Sequence, residues 1–106
     1  MPEPIVPARG RVYYADLGYG DKPFLVVSNN ARNSKLETCL AARITTTKKP
    51  ELTSIVELTP EDRLAGRVLC DDLATLYRDE LKRDAGALCG RTMMRVADGL
   101  RAALAL

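Results

Sequence analysis

The chain has 106 residues, 46% of them hydrophobic and 28% charged, and its 16 basic and 14 acidic side chains give a formal net charge of +2. A chain of this length and balance is expected to form one compact domain and is unlike a histone-like polycation or an acidic disordered tail. Because the sequence contains no histidine, Ser-His-Asp and Cys-His catalysis, histidine-ligated zinc and RNA cleavage by paired histidines are excluded.

Strand patterns follow a proline-rich start. We expect residues 1–8 to form an extended arm ahead of a single domain over residues 9–106. Residues 11–17 are rich in strand formers and predict a first strand. Residues 18–23 contain glycine and proline and predict a turn. The continuous apolar run at residues 24–27 predicts a strand that is buried on both faces.

The middle of the chain continues the strand pattern. After a polar loop or single turn over residues 28–34, residues 36–46 predict a long strand and residues 54–58 a short one. Residues 59–62 have the form of a helical-turn start. The apolar pattern of residues 67–77 then predicts another strand.

The hydrophobic period changes near the C-terminus. Thr92 is placed to cap a helix, and the apolar face that follows is Met93, Val96, Ala97, Leu100, Ala103 and Leu104. Gly99 weakens this helix by about 1 kcal/mol relative to alanine, so tertiary packing must hold it. Short antiparallel strands followed by one helix predict an α+β fold, a small barrel with a C-terminal helix.

Basic side chains concentrate in residues 32–49, where only Glu37 opposes them; they are Arg32, Lys35, Arg43, Lys48 and Lys49. Such a bias is typical either of a solvated face or of an anion-binding groove. A groove along the strands that Lys22 and Thr45 flank would suit a single polynucleotide strand, because phosphates attract cations and bases stack on aromatic rings. Tyr19, in a glycine-flanked loop, is expected to expose its ring.

The remaining composition bears on the compartment. The N-terminus lacks the features of a secretion signal, and no apolar run approaches the roughly 20 residues of a membrane span. The cysteines form no CxxC pair and lie among apolar residues, so we expect small buried hydrophobes; they are Cys39, Cys70 and Cys89. We expect a soluble, cytoplasmic protein without membrane contact.

Three segments carry a family resemblance. They read RGRVYYADL at residues 9–17, KPFLVVSNN at residues 22–30 and AARITT at residues 41–46. Together with the closing helix at residues 93–106, they resemble, in order and spacing, the MazF/PemK-type toxins of bacterial toxin–antitoxin modules.

The resemblance implies an SH3-like barrel that forms a homodimer with an RNA groove at the dimer face. It implies a metal-independent, cofactor-free endoribonuclease that cleaves single-stranded RNA at short sequences, and an antitoxin that covers the groove with a flexible acidic segment. The family's catalytic arginine and threonine match Lys22 and Thr45, with Thr46 as the alternative if the register differs by one. The further residues expected to contact RNA are Tyr19, Asp21, Ser28, Arg43, Thr46, Lys48, Lys49, Asp71 and Asp72.

The sequence also departs from the family pattern. Lys22 lacks the planar fork with which an arginine grips two phosphate oxygens. The loop between the first two strands is short, and Asp72 stands where the family commonly has glutamine. Because a carboxylate accepts but does not donate a hydrogen bond, we expect a different base preference.

Two other functions remain open at this point. One is a non-catalytic toxin of the same fold that binds a protein target such as a topoisomerase, and the other is an RNA-binding module that does not cleave. The fold alone does not distinguish them.

Overall fold

Six strands and two helices make up residues 5–106, the part of the chain that the computed structural model describes. The strands are β1 (Arg11–Asp16), β2 (Asp21–Val26), β3 (Thr38–Thr45), β4 (Ile55–Glu57), β5 (Arg67–Tyr77) and β6 (Leu81–Ala87). The helices are α1 (Asn30–Lys35) and α2 (Gly90–Leu104), and 3-10 turns lie at Pro60–Asp62 and Arg78–Glu80. The predicted C-terminal helix after a series of strands is confirmed, while α1 replaces the polar loop or single turn expected over residues 28–34.

The strands pair into one antiparallel sheet in the order β4-β5-β3-β2-β1-β6. This confirms the predicted α+β class. Within residues 5–106 the edge strands β4 and β6 are not paired with each other, so the sheet is not closed into the expected barrel. A bulge bends β5, because Ala42 pairs with Leu73 while the next residue, Arg43, pairs with Leu69.

Apolar side chains cover both faces of the sheet. One cluster lies between the sheet and α2 and includes Leu25, Val68 and Val96. The other lies on the opposite face and includes Phe24 and Leu76. Residues 24–27 are therefore buried on both faces, as their continuous apolar run predicted.

Strands β2 and β6 differ from the sequence prediction. Strand β2 begins at Asp21, so Lys22 and Pro23 belong to a strand instead of a turn. Pro23 lies just outside the part of β2 that pairs with β3, where a missing N–H removes no bond from that ladder. Strand β6 was missed because its middle residues are exposed and polar, as suits an edge strand.

Helix α2 starts earlier than predicted. Cys89 occupies the N-cap position, whereas Thr92 lies inside the helix and is fully buried. Leu104, expected on the apolar face, is 52% exposed. The close approach of α2 to the sheet explains Gly99, because a Cβ there would lie 2.7 Å from the Cys70 Sγ atom.

The N-terminal arm and the cysteines are described in part. Residues 1–4 of the predicted arm lie outside the described residues, while the Ala8 N–H donates to the Tyr13 hydroxyl at 3.1 Å. Cys39 and Cys70 are buried as predicted, whereas Cys89 is only half-buried. No helix within residues 5–106 is long and apolar enough to cross a membrane.

A buried carboxylate joins the 3-10 turn Pro60–Asp62 to α2. The Asp62 carboxylate accepts hydrogen bonds from the Thr59 N–H and hydroxyl, from the Cys89 N–H and from the Thr92 hydroxyl, at 2.8–3.0 Å. Burial by itself raises the pKa of Asp62, but these hydrogen bonds outweigh it and lower the pKa from 3.8 to about 2.

Asp62 is expected to stabilise the fold in a pH-dependent way. Because its pKa is lower in the folded chain than in the unfolded chain, the stabilisation is present above pH 4 and is lost as the pH falls toward 2. Between pH 6 and pH 3 the unfolding free energy of the wild type should fall by about 1 kcal/mol more than that of Asp62→Asn. Urea unfolding at both pH values measures this, with the exposed Asp98→Asn as control. Parallel pH profiles for wild type and Asp62→Asn would contradict it.

Candidate active site

Lys22 and Thr45 face the same cavity. The β2–β3 ladder aligns Phe24 with Arg43, and two residues further along each strand the same faces carry Lys22 and Thr45, because side chains alternate with a period of two. Both residues line a cavity of about 360 Å³. The structure thus brings the two predicted catalytic residues together.

The Thr45 hydroxyl is oriented by its own loop. Its oxygen accepts a hydrogen bond from the Thr47 N–H at 3.1 Å, which leaves the hydroxyl proton for another acceptor. Thr46 and Asp21, two further predicted residues, line the same cavity. The Asp21 carboxylate pairs with Lys82 at 2.9 Å, so part of its negative charge is offset.

A second cavity of about 600 Å³ adjoins the first and shares Lys22 and Arg43 with it. Its lining includes the buried ring of Phe24 and the exposed ring of Tyr19. The Arg43 guanidinium lies 3.8 Å from the Asp72 carboxylate, which also lines this cavity. Aromatic walls beside one donor and one acceptor suit a planar ring with polar edges.

Asp16 holds the loop that presents Tyr19. Its carboxylate accepts hydrogen bonds from the Gly18 N–H at 2.8 Å and the Gly20 N–H at 3.1 Å. These bonds, the one from Gly18 foremost, lower the pKa of Asp16. The result is a short fixed loop on which Tyr19 is 86% exposed at the edge of the second cavity.

Four predicted RNA contacts lie outside these two cavities. Ser28 is buried, and its hydroxyl donates to the Asn33 side chain at 2.5 Å. Lys48 and Lys49 line a separate cavity of about 120 Å³. Asp71 is exposed on the β5 bulge and lines neither cavity. The structure gives Ser28 a packing role and leaves the other three side chains exposed on the surface.

The basic cluster of residues 32–49 is likewise dispersed. Arg32 donates to the Thr38 carbonyl and hydroxyl at the start of β3, and Lys35 ends α1. Of the five basic residues, only Arg43 lines a cavity with Lys22. Density of charge along the chain therefore did not predict which cations share a site.

Sequence reasoning missed the far wall of the Lys22–Thr45 cavity. Leu64 and Ala65 form it, directly after the turn Pro60–Asp62. Gly66 follows with a φ of 128°, and a Cβ there would lie 2.6 Å from the Thr45 carbonyl oxygen. The helical-turn start and the following glycine were visible in the sequence, but nothing in it connected them with Thr45.

Fold and site together define a class of protein. A small antiparallel sheet with one packed helix holds a cation and a hydroxyl in one cavity and aromatic rings in the next. A compact α+β domain with these two cavities is suited to bind an anionic ligand that carries planar groups. The chain belongs to the family of PemK-like, MazF-like toxins of type II toxin-antitoxin systems, whose sequence pattern matches residues 8–104.

Similar proteins match over nearly the whole chain. Endoribonuclease MazF1 of Mycobacterium bovis is 44% identical over 100 residues, 94% of this chain and 94% of that protein. The solved structure of an endoribonuclease in complex with its cognate antitoxin, from a mycobacterial species, has a TM-score of 0.91 at 44% identity and covers 94% of this chain and 96% of that one. Another mycobacterial endoribonuclease structure has a TM-score of 0.90 at 39% identity, covering 99% and 97%. The resemblance inferred from the sequence is confirmed.

Gly66 is expected to position Thr45. Gly66→Ala would force the new Cβ against the Thr45 carbonyl, whereas Gly86→Ala, at a φ of 102°, would meet open space. Both variants carry a positive-φ penalty of about 1 kcal/mol, but Gly66→Ala should lose at least about 1 kcal/mol more. It should also shift the backbone amide NMR resonances of residues 45–47. Equal losses, with those resonances unmoved, would contradict the positioning role.

Proposed function

We propose that this chain is an endoribonuclease toxin that cleaves single-stranded RNA in the cavity between Lys22 and Thr45. The observation that carries the proposal is that the two residues to which the family resemblance assigns catalysis line one cavity. The named relatives are endoribonucleases that match over nearly the whole chain, which supports the same activity here. The chemistry of a cation and a hydroxyl calls for no cofactor or metal.

The reaction uses the RNA's own nucleophile. The ribose 2′-oxygen attacks the adjacent phosphorus and forms a bond to it, while the bond from phosphorus to the 5′-oxygen of the next nucleotide breaks. Solvent water takes the proton from the 2′-hydroxyl, and the departing 5′-oxygen takes one from solvent. The products are a 2′,3′-cyclic phosphate and a 5′-hydroxyl, and DNA is not cleaved because it lacks the nucleophile.

Lys22 and Thr45 have separate roles in this step. The Lys22 ammonium stabilises the phosphate oxygens, whose negative charge grows as the fifth bond to phosphorus forms. The Thr45 oxygen already accepts from Thr47, so its hydroxyl proton is free to donate a hydrogen bond to a phosphate oxygen. This hydrogen bond aligns the linkage for in-line attack. A lysine acts as a point charge without the bidentate grip of the family's arginine.

The adjoining cavity supplies base selectivity. We assign Tyr19 and Phe24 to stacking against a base and the Arg43–Asp72 pair to its polar edge. Asp72 accepts hydrogen bonds and Arg43 donates them, so the pair reads a base edge that carries an amino or ring N–H group beside an acceptor. Asp21 and Thr46 complete the contacts at the scissile linkage.

The partners follow from the same surfaces. An antitoxin, the kind of partner seen with the mycobacterial relative, neutralises the toxin in the cytoplasm by covering both cavities with an acidic flexible segment. Residues 9–106 act as a single toxin domain after the arm of residues 1–8. A second copy of the chain covers exposed apolar side chains of the C-terminal region, among them Met94 and Leu106, at 72% and 86% exposure.

Cleavage in EDTA tests the catalytic assignment. Lys22→Ala and Thr45→Ala should each slow cleavage of a mixed RNA about 100-fold or more, because each removes a group that stabilises the transition state. Thr45→Ser and Lys22→Arg should retain most of the activity, since they keep the hydroxyl and the charge. Mass spectrometry of the ends should find cyclic phosphate and 5′-hydroxyl.

Lys35→Ala is the matched control, because it removes one charge at the end of α1. If Thr46→Ala is the damaging variant and Thr45→Ala is not, the register assigned here is wrong by one residue. Intact RNA that binds tightly would make the protein a non-cleaving RNA-binding module. Intact RNA without binding would favour a toxin that acts on a protein target such as a topoisomerase.

Asp72→Asn should change which base is selected while leaving the products' ends unchanged. An amide donates as well as accepts, so discrimination at one position of the cleavage site should shift by about tenfold toward bases that present a carbonyl. Sequencing the cleaved ends of a mixed RNA measures this. Asp71→Asn, which changes the neighbouring carboxylate outside the cavity, should leave the preference as it is; the same shift in both variants would argue against base reading by Asp72.

A further inference from the structure

A third cavity adjoins the Lys22–Thr45 cavity at Thr46. It measures about 520 Å³ and shares Thr46, Leu64 and Ala65 with the Lys22–Thr45 cavity. The aromatic cavity shares none of its lining residues with this third one. The Lys22–Thr45 cavity, which holds the scissile position, therefore adjoins both of the other cavities, and the third cavity has no assigned role.

The third cavity is positively charged. Arg63 and Arg67 line it, and Glu57 is the carboxylate among its lining residues. Arg67 pairs with Glu57 at 2.9 Å and also donates to the Thr46 carbonyl. Arg63 has no ion pair within residues 5–106 and is exposed. One arginine is thus neutralised while the other presents its charge to the cavity.

The backbone at Arg63 is also unusual. Its φ of 56° lies in the left-handed region, which costs a non-glycine residue free energy. The turn before it is fixed by the Asp62 carboxylate and the residue after it, Leu64, packs against the core. Glycine would satisfy this backbone at lower cost, so the fold alone does not call for an arginine here.

We propose that the cavity beside Arg63 is a second nucleotide subsite, in which the Arg63 guanidinium contacts a backbone phosphate of the RNA strand as it leaves the Lys22–Thr45 cavity. The inference rests on the proposed ribonuclease function. A single strand bound at the scissile position must continue on both sides, and a cationic groove continuous with that position follows its phosphates. A guanidinium binds phosphate in two hydrogen bonds at once.

Oligonucleotides of two lengths test the subsite. The wild type first defines a cleavage site in mixed RNA; oligomers are then made with a 2′-deoxy sugar at that site, so that they bind without being cut. One oligomer ends beside the scissile linkage, and two others extend it by four nucleotides on the 5′ or the 3′ side. Arg63→Ala should weaken binding of one extended oligomer about fivefold and leave the short one unchanged. For that extended oligomer, the slope of the logarithm of the binding constant against the logarithm of the salt concentration should become shallower by about 0.7.

Two variants separate binding from folding. Arg63→Gly should match or exceed the wild type in thermal stability, since it relieves the left-handed backbone, yet show the same binding loss. Lys35→Ala, with the same change in net charge, should show no length-dependent loss.

Equal effects of Arg63→Ala on all three oligomers, or none on any, would overturn the subsite while leaving cleavage by the wild type intact. A wild type that cleaves no RNA overturns both proposals. If Arg63→Ala weakens binding of a poly-glutamate peptide but leaves RNA binding unchanged, the cavity binds an acidic protein segment, and the RNA subsite is overturned.

Discussion

The antiparallel register between β2 and β3 is the constraint on which the site depends. A shift by one residue would turn Lys22 or Thr45 to the opposite face of the sheet and separate the cation from the hydroxyl. Core packing fixes this register, because a slip would exchange Leu25 and Val26, both fully buried, between two clusters that are filled by side chains of different shape. The hydrophobic core thus determines the geometry of a polar cavity at the strand ends.

A second support comes from the segment that precedes β5. The Asp62 carboxylate ties its turn to the start of α2, and Gly66 brings its end against the Thr45 carbonyl. Between them, Ala65 lines the Lys22–Thr45 cavity and Leu64 reaches the core. The short segment from Asp62 to Gly66 therefore connects α2, the core and the site. It holds Thr45 in place although Thr45 is the last residue of β3.

Local pattern predicted much of this, and contacts distant in sequence account for the rest. The apolar run at residues 24–27 and the strand at residues 67–77 follow from periodicity, which short windows of sequence contain. Ser28 was expected to contact RNA, but its hydroxyl instead donates to the Asn33 side chain in the packing of α1. The wall formed by Ala65 depends on a sheet pairing between segments some twenty residues apart, and no local pattern records that pairing. The family resemblance supplied Lys22 and Thr45 where periodicity could not.

The distribution of charge explains how a chain of net charge +2 could select among RNA sequences. Four cations line the three cavities, and two of them are paired with carboxylates, Arg43 with Asp72 and Arg67 with Glu57. Within residues 5–106, Lys22 and Arg63 have no such pair. Exposed charges act over about 10 Å at 0.1 M salt, so a phosphate responds to these two side chains more than to the molecule as a whole. Weak general attraction keeps non-specific binding low, which leaves discrimination to the base that fits beside Tyr19 and the Arg43–Asp72 pair.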